Sequence, residues 1–296
     1  MIRYFKHKDI DKTKWDHCIE NASNGFVYAL SWYLDIVSPN WDALIEGDYE
    51  IVMPLPIRKK IGLKYLIRPY FVQQLGIFGN SLNTTKIDEF ILLVKRKFLY
   101  SNFNLNFLNI SPILSDKEKG ITYKLALNKS YEELSIQFHQ NTTRNIKKAS
   151  SSHLKIINSQ DPEPLFNLYK NSGKFFEGER FWNCLVEITQ RTLEKTKSEI
   201  SYAYIGNEIY CAILWVNWGN RVLYLISCSS DEGKALNAST LLINEFIKTH
   251  SNSELILDFE GSKISGLARY YKGFGSEQEE FPSLHFNNLF WLFNFH

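Results

Sequence analysis

The chain has 296 residues, with 34 Lys and Arg against 32 Asp and Glu, and a formal charge of +2. That balance excludes a nucleic-acid binder held by bulk charge, so any such role would rest on a local patch. A hydrophobic fraction of 44% with 22% charged residues is ordinary for a globular protein with a sizeable core, and the length fits two domains.

No run approaches the roughly 20 apolar residues that cross a bilayer. The opening MIRYFKHKDIDKTKW is charged where a signal peptide is apolar, so a cytoplasmic location is expected. Cys18, Cys184, Cys211 and Cys228 form no CxxC pair and read as reduced thiols.

In the first half, ALIEGDYEIVMPLPIRKKIGLKYLIRP predicts three strands, with turns at Gly47-Asp48 and near Gly62. NTTKIDEFILLVKRKF predicts a helix opened by Asn83 or a following Thr, and NLNFLNI predicts a buried strand. In the second half, SYAYIGNEIYCAILWVNWGNRVLYLISCSS predicts three more strands, turned at Gly206-Asn207 and Gly219-Asn220. STLLINEFIKTH then has a helical period with Ser239 or Thr240 as cap, LILDF is a short buried strand, and a helix follows at about 264–271. The repeated order, with Asn106 set against Asp258, predicts a duplicated domain. The tail HFNNLFWLFNFH places Phe286, Leu289, Phe290 and Phe293 at helical spacing and predicts core packing, with a membrane-surface or partner contact as the competing role.

The β-β-β-α-β-α order resembles the GNAT acyltransferase fold, and a tandem pair of such domains resembles its Fem-type branch. FHQNTTRNIKKASSSHLKI looks like the Fem-type helix that opens the second domain. DFEGSKISGLARYYKGFG looks like that branch's strand end and the tyrosine-lysine-phenylalanine-glycine segment after it. The resemblance implies an α/β (α+β) fold of two tandem GNAT-like domains, residues 1–127 and 128–296. Each would be a mixed, mostly antiparallel sheet flanked by helices, with the active site in the second. It also implies a bacterial-type acyltransferase that moves an acyl or aminoacyl group from acyl-CoA or aminoacyl-tRNA to an amine. The acceptor would be a small molecule or a cell-wall or lipid-linked amine, tRNA a candidate partner, and acyl-CoA a co-substrate. No permanently bound cofactor and no metal are expected.

Such a reaction needs a base for the amine and a proton for the leaving group. Asp258 and Glu260 alternate on a strand and share a face, so either suits the base or an amine anchor; the competing role is a helix cap with a loop salt bridge. Tyr271 is the candidate proton donor, with Tyr270 facing the core. Glycines 261 and 266 would admit the acceptor close to the backbone.

A donor phosphate would meet Arg144 and Lys147, which with Lys148 lie at helical spacing on one face; a solvated face is the competing role. It would also meet Lys272, and Ser229, Lys234 and Asn237 around the loop SSDEGKALNAS. That loop departs from the acetyl-CoA-binding pattern: Gly233 is its one glycine, and Asp231 and Glu232 oppose a pyrophosphate. A catalytically idle tandem fold that binds a ligand or a protein is therefore the second reading.

Overall fold

The computed structural model describes residues 1–114, 119–172, 178–261 and 264–288. The chain forms two compact units, one of Met1–Gly120 with the segment from Glu280 onward, the other of Ile121–Glu279.

The first unit begins with β1 (Ile2–Phe5), α1 (Lys12–Asn21) and α2 (Ser31–Val37). Four strands follow: β2 (Asp42–Glu46), β3 (Ile51–Leu55), β4 (Ile57–Lys60) and β5 (Leu63–Ile67). Where three strands were expected there are four, because Pro56 interrupts the ladder between β3 and β4. α3 (Thr84–Lys97) is opened by Asn83, whose Oδ1 accepts from the Lys86 N–H. β6 (Tyr100–Asn104) ends before Asn106, so the buried strand predicted from NLNFLNI lies earlier in the chain. The first three strands form one antiparallel sheet, and β4, β5 and β6 belong to a second, in which β5 and β6 are parallel.

The second unit opens with β7 (Gly120–Ala126), α4 (Tyr131–Ile136), α5 (Gln140–Ser150), β8 (Lys155–Ser159), α6 (Glu163–Asn171) and α7 (Glu179–Lys195). Next come β9 (Glu199–Ile205), β10 (Glu208–Trp218) and β11 (Arg221–Ser229), turned by Gly206 and Gly219 at φ of 60° and 57°. α8 (Asp231–Ala235) and α9 (Ala238–His250) lead to β12 (Ile256–Asp258), α10 (Ser265–Lys272) and β13 (Glu277–Phe281), after which β14 (Ser283–Asn287) belongs to the first unit.

Seven strands form one sheet in the order β13-β7-β12-β11-β10-β9-β8. β11 and β12 are parallel, and the other registered pairs are antiparallel. The core packs Trp215, Phe246, Phe259, Tyr271 and Phe274 against this sheet.

The division falls between Gly120 and Ile121 rather than at 127/128. The cause is pairing: β7 lies antiparallel to β12, while β14 lies antiparallel to β6. β7 thus belongs to the sheet of the second unit and β14 to that of the first. Phe286 belongs to β14, not to a helix, and Leu289, Phe290 and Phe293 lie outside the described residues.

Candidate functional site

β11 and β12 pair over three residues only, Arg221–Leu223 against Ile256–Asp258. β11 then runs on to Ser229, held by β10 on its other side. Leu225 is an extra residue there, a bulge opposite Leu214 and Trp215. Bulges bend a strand and increase its twist, and this one sits where β11 leaves β12. Among the described residues no strand pairs with β11 beyond Leu223 on the β12 side, so the sheet splays open at the C-terminal ends of its parallel strands. Ends of this kind are where α/β folds place ligands.

The strand end carries both candidate carboxylates, and the structure gives them different surroundings. Asp258 is fully buried. Its Oδ2 accepts from Arg221 Nη1 at 2.6 Å, and its Oδ1 accepts from the Thr122 hydroxyl and, at 3.0 Å, from the Glu260 N–H. Arg221 also lies 3.4 Å from Glu279, which is bonded to Lys124. Asp258 therefore ties β7, β11 and β12 together. The expectation that it meets an acceptor amine gives way to this structural role, because both of its oxygens are already engaged.

Glu260 turns away from the strand. Its φ is 59°, a left-handed conformation uncommon for a side-chain-bearing residue. Gly261 follows at φ 60°, and a Cβ there would lie 1.9 Å from the Ile121 carbonyl oxygen. That glycine serves chain packing, whereas Gly266 has open space around it. Glu260 keeps some solvent contact as a residue, but its carboxyl lies among enough protein that burial pushes its pKa up to about 8.

The two tyrosines differ in their surroundings. Tyr271 is the core residue: it stacks on Phe259 with ring centres 4.9 Å apart and meets Tyr224 at 6.0 Å. Its phenol pKa is raised by burial first, then by Tyr270 and Glu260. Tyr270 is half-buried, and its hydroxyl lies 3.2 Å from Ser239 Oγ and 3.1 Å from Thr240 Oγ1 in the first turn of α9. Burial pushes Tyr270 up to about 12.

Ser239 and Thr240 are thus not the caps of α9. Asn237 holds the N-cap position at φ 58°, with no side-chain hydrogen bond.

The residues predicted for the donor scatter. The Ser229 hydroxyl points to Cys211 Sγ at 3.2 Å. Lys234 is exposed and paired with Asp231 at 2.6 Å, an interaction that raises the lysine pKa and lowers the aspartate pKa. Gly233 is fixed by packing, since a Cβ there would sit 2.1 Å from the Tyr210 carbonyl oxygen.

Arg144 and Lys147 stand exposed on α5, where Arg144 donates to Asn141 of its own helix at 2.6 Å. Lys272 lies over the Tyr123 ring at 5.5 Å. Only Asn237 and Ser229 flank the splay, at the two ends of the α8 segment. A concavity of about 800 Å³ opens at the same end of β11, with Asn167, Asn171, Asn207, Glu208, Asp231 and Glu232 in its lining.

No family model matches the sequence, and no curated protein matches it. Solved structures do. The crystal structure of FemX is 12% identical and superposes with a TM-score of 0.62, over 94% of this chain and 96% of that one. This chain has the Fem-type tandem GNAT fold.

The same fold is found in the C-terminal domain of a putative lysylphosphatidylglycerol synthetase from Agrobacterium fabrum, at 7% identity and a TM-score of 0.58. There 92% of this chain and 90% of that chain are covered. It is found again in a tandem GNAT protein from the clavulanic acid biosynthesis pathway, at 10% identity and 0.55, over 96% and 97%. Arg221 and Thr122, which hold Asp258, were not singled out in the sequence, and the contact of Tyr270 with Ser239 and Thr240 was not foreseen there. A cation directly after the Gly219-Asn220 turn was the one available signal, for Arg221.

Proposed function

We propose that the chain is an acyltransferase that moves an acyl or aminoacyl group from an activated ester or thioester to an amine at the splay between β11 and β12. The observation that carries this reading is Glu260. It is a carboxyl with a pKa near 8 at the mouth of an opening in the sheet, held there by a backbone turn anchored on Asp258. A group poised near neutrality is suited to proton transfer. FemX, the lysylphosphatidylglycerol synthetase and the tandem GNAT protein share the fold, which favours transfer over an idle binding module.

In this scheme the ionised Glu260 takes the proton of the acceptor ammonium, and the neutral nitrogen attacks the donor carbonyl. As the C–N bond forms and the C–O or C–S bond breaks, the departing alkoxide or thiolate takes a proton from the Tyr270 hydroxyl, which Ser239 and Thr240 orient, and the second proton of the attacking nitrogen restores the phenol. Asn237 and Ser229 flank the donor. The carboxylates and amides of the neighbouring concavity, Glu208, Asp231 and Glu232 among them, suit a polar acceptor bearing an amine better than a pyrophosphate. Acyl-CoA and aminoacyl-tRNA both remain candidate donors in this reading, with Arg144, Lys147 and Lys272 as outlying phosphate contacts.

The test is a thermal-shift screen with acetyl-CoA, longer acyl-CoAs and a stable aminoacyl-tRNA analogue. A donor that binds only the folded state raises the melting temperature. Glu260→Gln should keep that rise and lose transfer to an amine panel. A protein that no donor stabilises would favour the binding-module reading.

A further inference from the structure

Two stretches of the second unit carry no acidic residue at all: 134–160 and 261–276. The chain as a whole is nearly balanced, with 34 Lys and Arg against 32 Asp and Glu, so the segregation is local. The two stretches meet in space. The His139 N–H donates to the Gly273 carbonyl at 2.9 Å, Phe138 meets Phe274 edge-on at 5.7 Å, and Gly273 packs against Thr142. α4 and α5 thus adjoin the end of α10.

The surface they make is cationic. Arg144, Lys147 and Lys148 are exposed on the side of α5 away from buried Thr142 and Ala149, and Arg269 is exposed on α10. Among the described residues none of these four cations is in a salt bridge. The same elements also expose aliphatic side chains: Ile136 at the end of α4 is 82% exposed, Ile264 just before α10 is 66%, and Leu267 on α10 is 41%. One other large hydrophobic residue is exposed among the described residues of this unit, Ile157, and it too lies in an acid-free stretch.

Cations alone would fit any polyanion. Protruding aliphatics beside them change the choice of partner. An isoleucine or leucine on a protein surface gains nothing from a phosphate backbone, and nucleic acids are held by stacking on aromatic rings and by cations. The interfacial region of a bilayer satisfies both kinds of group, since anionic headgroups attract Lys and Arg while the acyl boundary takes the aliphatics.

We propose that the face built by α4, α5 and α10 docks on an anionic lipid surface. It is a peripheral contact, consistent with the absence of any described helix long and apolar enough to span a membrane. The proposal does not depend on the acyl-transfer reading. It would place an acceptor carried on a membrane within reach of the same unit.

The experiment is co-sedimentation of the full chain with vesicles of phosphatidylglycerol and phosphatidylcholine in equal parts, against pure phosphatidylcholine, with salt titrated. Binding to the anionic vesicles alone, weakened by salt, is expected. The triple reversal Arg144→Glu, Lys147→Glu, Lys148→Glu should weaken binding about a hundredfold, at ~1 kcal/mol per basic residue. Ile136→Ser with Leu267→Ser should weaken it about tenfold. All five sites are exposed, and a thermal melt of each variant confirms folding; the salt titration tests the charge component without any variant.

No sedimentation with anionic vesicles, or sedimentation that ignores both sets of changes, overturns the proposal. So does a structured RNA that binds through the three cations while the vesicles do not, which would make this a nucleic-acid face.

Discussion

After β5 and again after β11, the chain leaves a sheet, crosses through a helix and returns as a parallel neighbour, but the two crossovers end differently. In the first unit the loop comes back to the sheet: Leu75 bridges Leu105 in parallel, and its N–H donates to the Asn104 carbonyl at 3.0 Å. Amides seal the rest. Asn109 Oδ1 accepts from the Ile77 N–H at 2.7 Å, Gln74 Oε1 accepts from the Phe107 N–H at 3.0 Å, and Asn106 donates to the Asn24 carbonyl at 3.0 Å.

Among the described residues of the second unit nothing comparable returns to β11, and charge replaces amide at the strand end. Asp258 is matched by Arg221, while burial raises the proton affinity of Glu260. A neutral network can close a gap at little electrostatic cost. A carboxyl beside an open splay is costly to ionise, so its presence there points to use.

The comparison is broken most severely by removing the cation. Arg221→Met leaves Asp258 as an uncompensated buried charge, and loss of one partner from a buried pair costs about 3–5 kcal/mol. Denaturant unfolding should show the second unit losing stability. Asp258→Asn should also destabilise it, while transfer per folded molecule survives. A large loss of transfer with unchanged stability would restore Asp258 as the reacting base.

Glu260→Gln sharpens the same contrast from the other side. Transfer should fall by a factor of about 10² to 10⁴, with the fold intact. In the wild type, kcat/KM should rise as the pH passes through about 8, where the base form appears.

Stability should move the opposite way. A carboxyl whose folded pKa is raised binds its proton more tightly in the native state, so its contribution is present below the unfolded value near 4.5 and is lost as pH rises through about 8. Relative to wild type, Glu260→Gln should therefore gain stability between those limits, by roughly 2 kcal/mol after allowance for its partial exposure. Equal melting curves at all pH values would show that the carboxyl is solvated.

Much of the scaffold was legible in the sequence because local signals agree with the final fold. Gly47, Gly206 and Gly219 mark turns that require positive φ, and Asn83 caps its helix as its position implied. The site was less legible because its decisive partners are distant. Asp258 finds Arg221 37 positions away and Thr122 136 positions away, so no spacing rule could tell a structural aspartate from a base.

The assignment of Tyr270 and Tyr271 failed for a related reason. Helical period separates adjacent residues by about 100°, which predicts one inside and one outside, but only the packing of Phe259 and Tyr224 decides which. The pairing of β7 with β12 and of β14 with β6 has no local signature either, because strand propensity does not say which sheet a strand joins.

In the first unit, Asn109→Ala should cost about 1–3 kcal/mol, since it strands the Ile77 N–H in the interior, while the Ile77 carbonyl keeps its bond from Asn24. Donor binding and transfer should be unaffected. If transfer fell in proportion to Glu260→Gln, the amide network would be part of the machinery rather than a seal, and the contrast between the two units would fail.

The smallest expected effect is at Arg144. It is exposed and donates only to Asn141 of its own turn, so Arg144→Glu should change stability by no more than about 0.5 kcal/mol. Binding of a small donor should also be nearly unchanged, because Arg144 is exposed and its hydrogen bond stays within α5. Donor titration followed by thermal shift, with wild type and variant in parallel, decides the point. A loss of about tenfold or more in donor affinity would bring α5 into the site and give the second unit a phosphate clamp that the first lacks. An unchanged titration would leave the splay beside Glu260 as the feature that distinguishes the two crossovers.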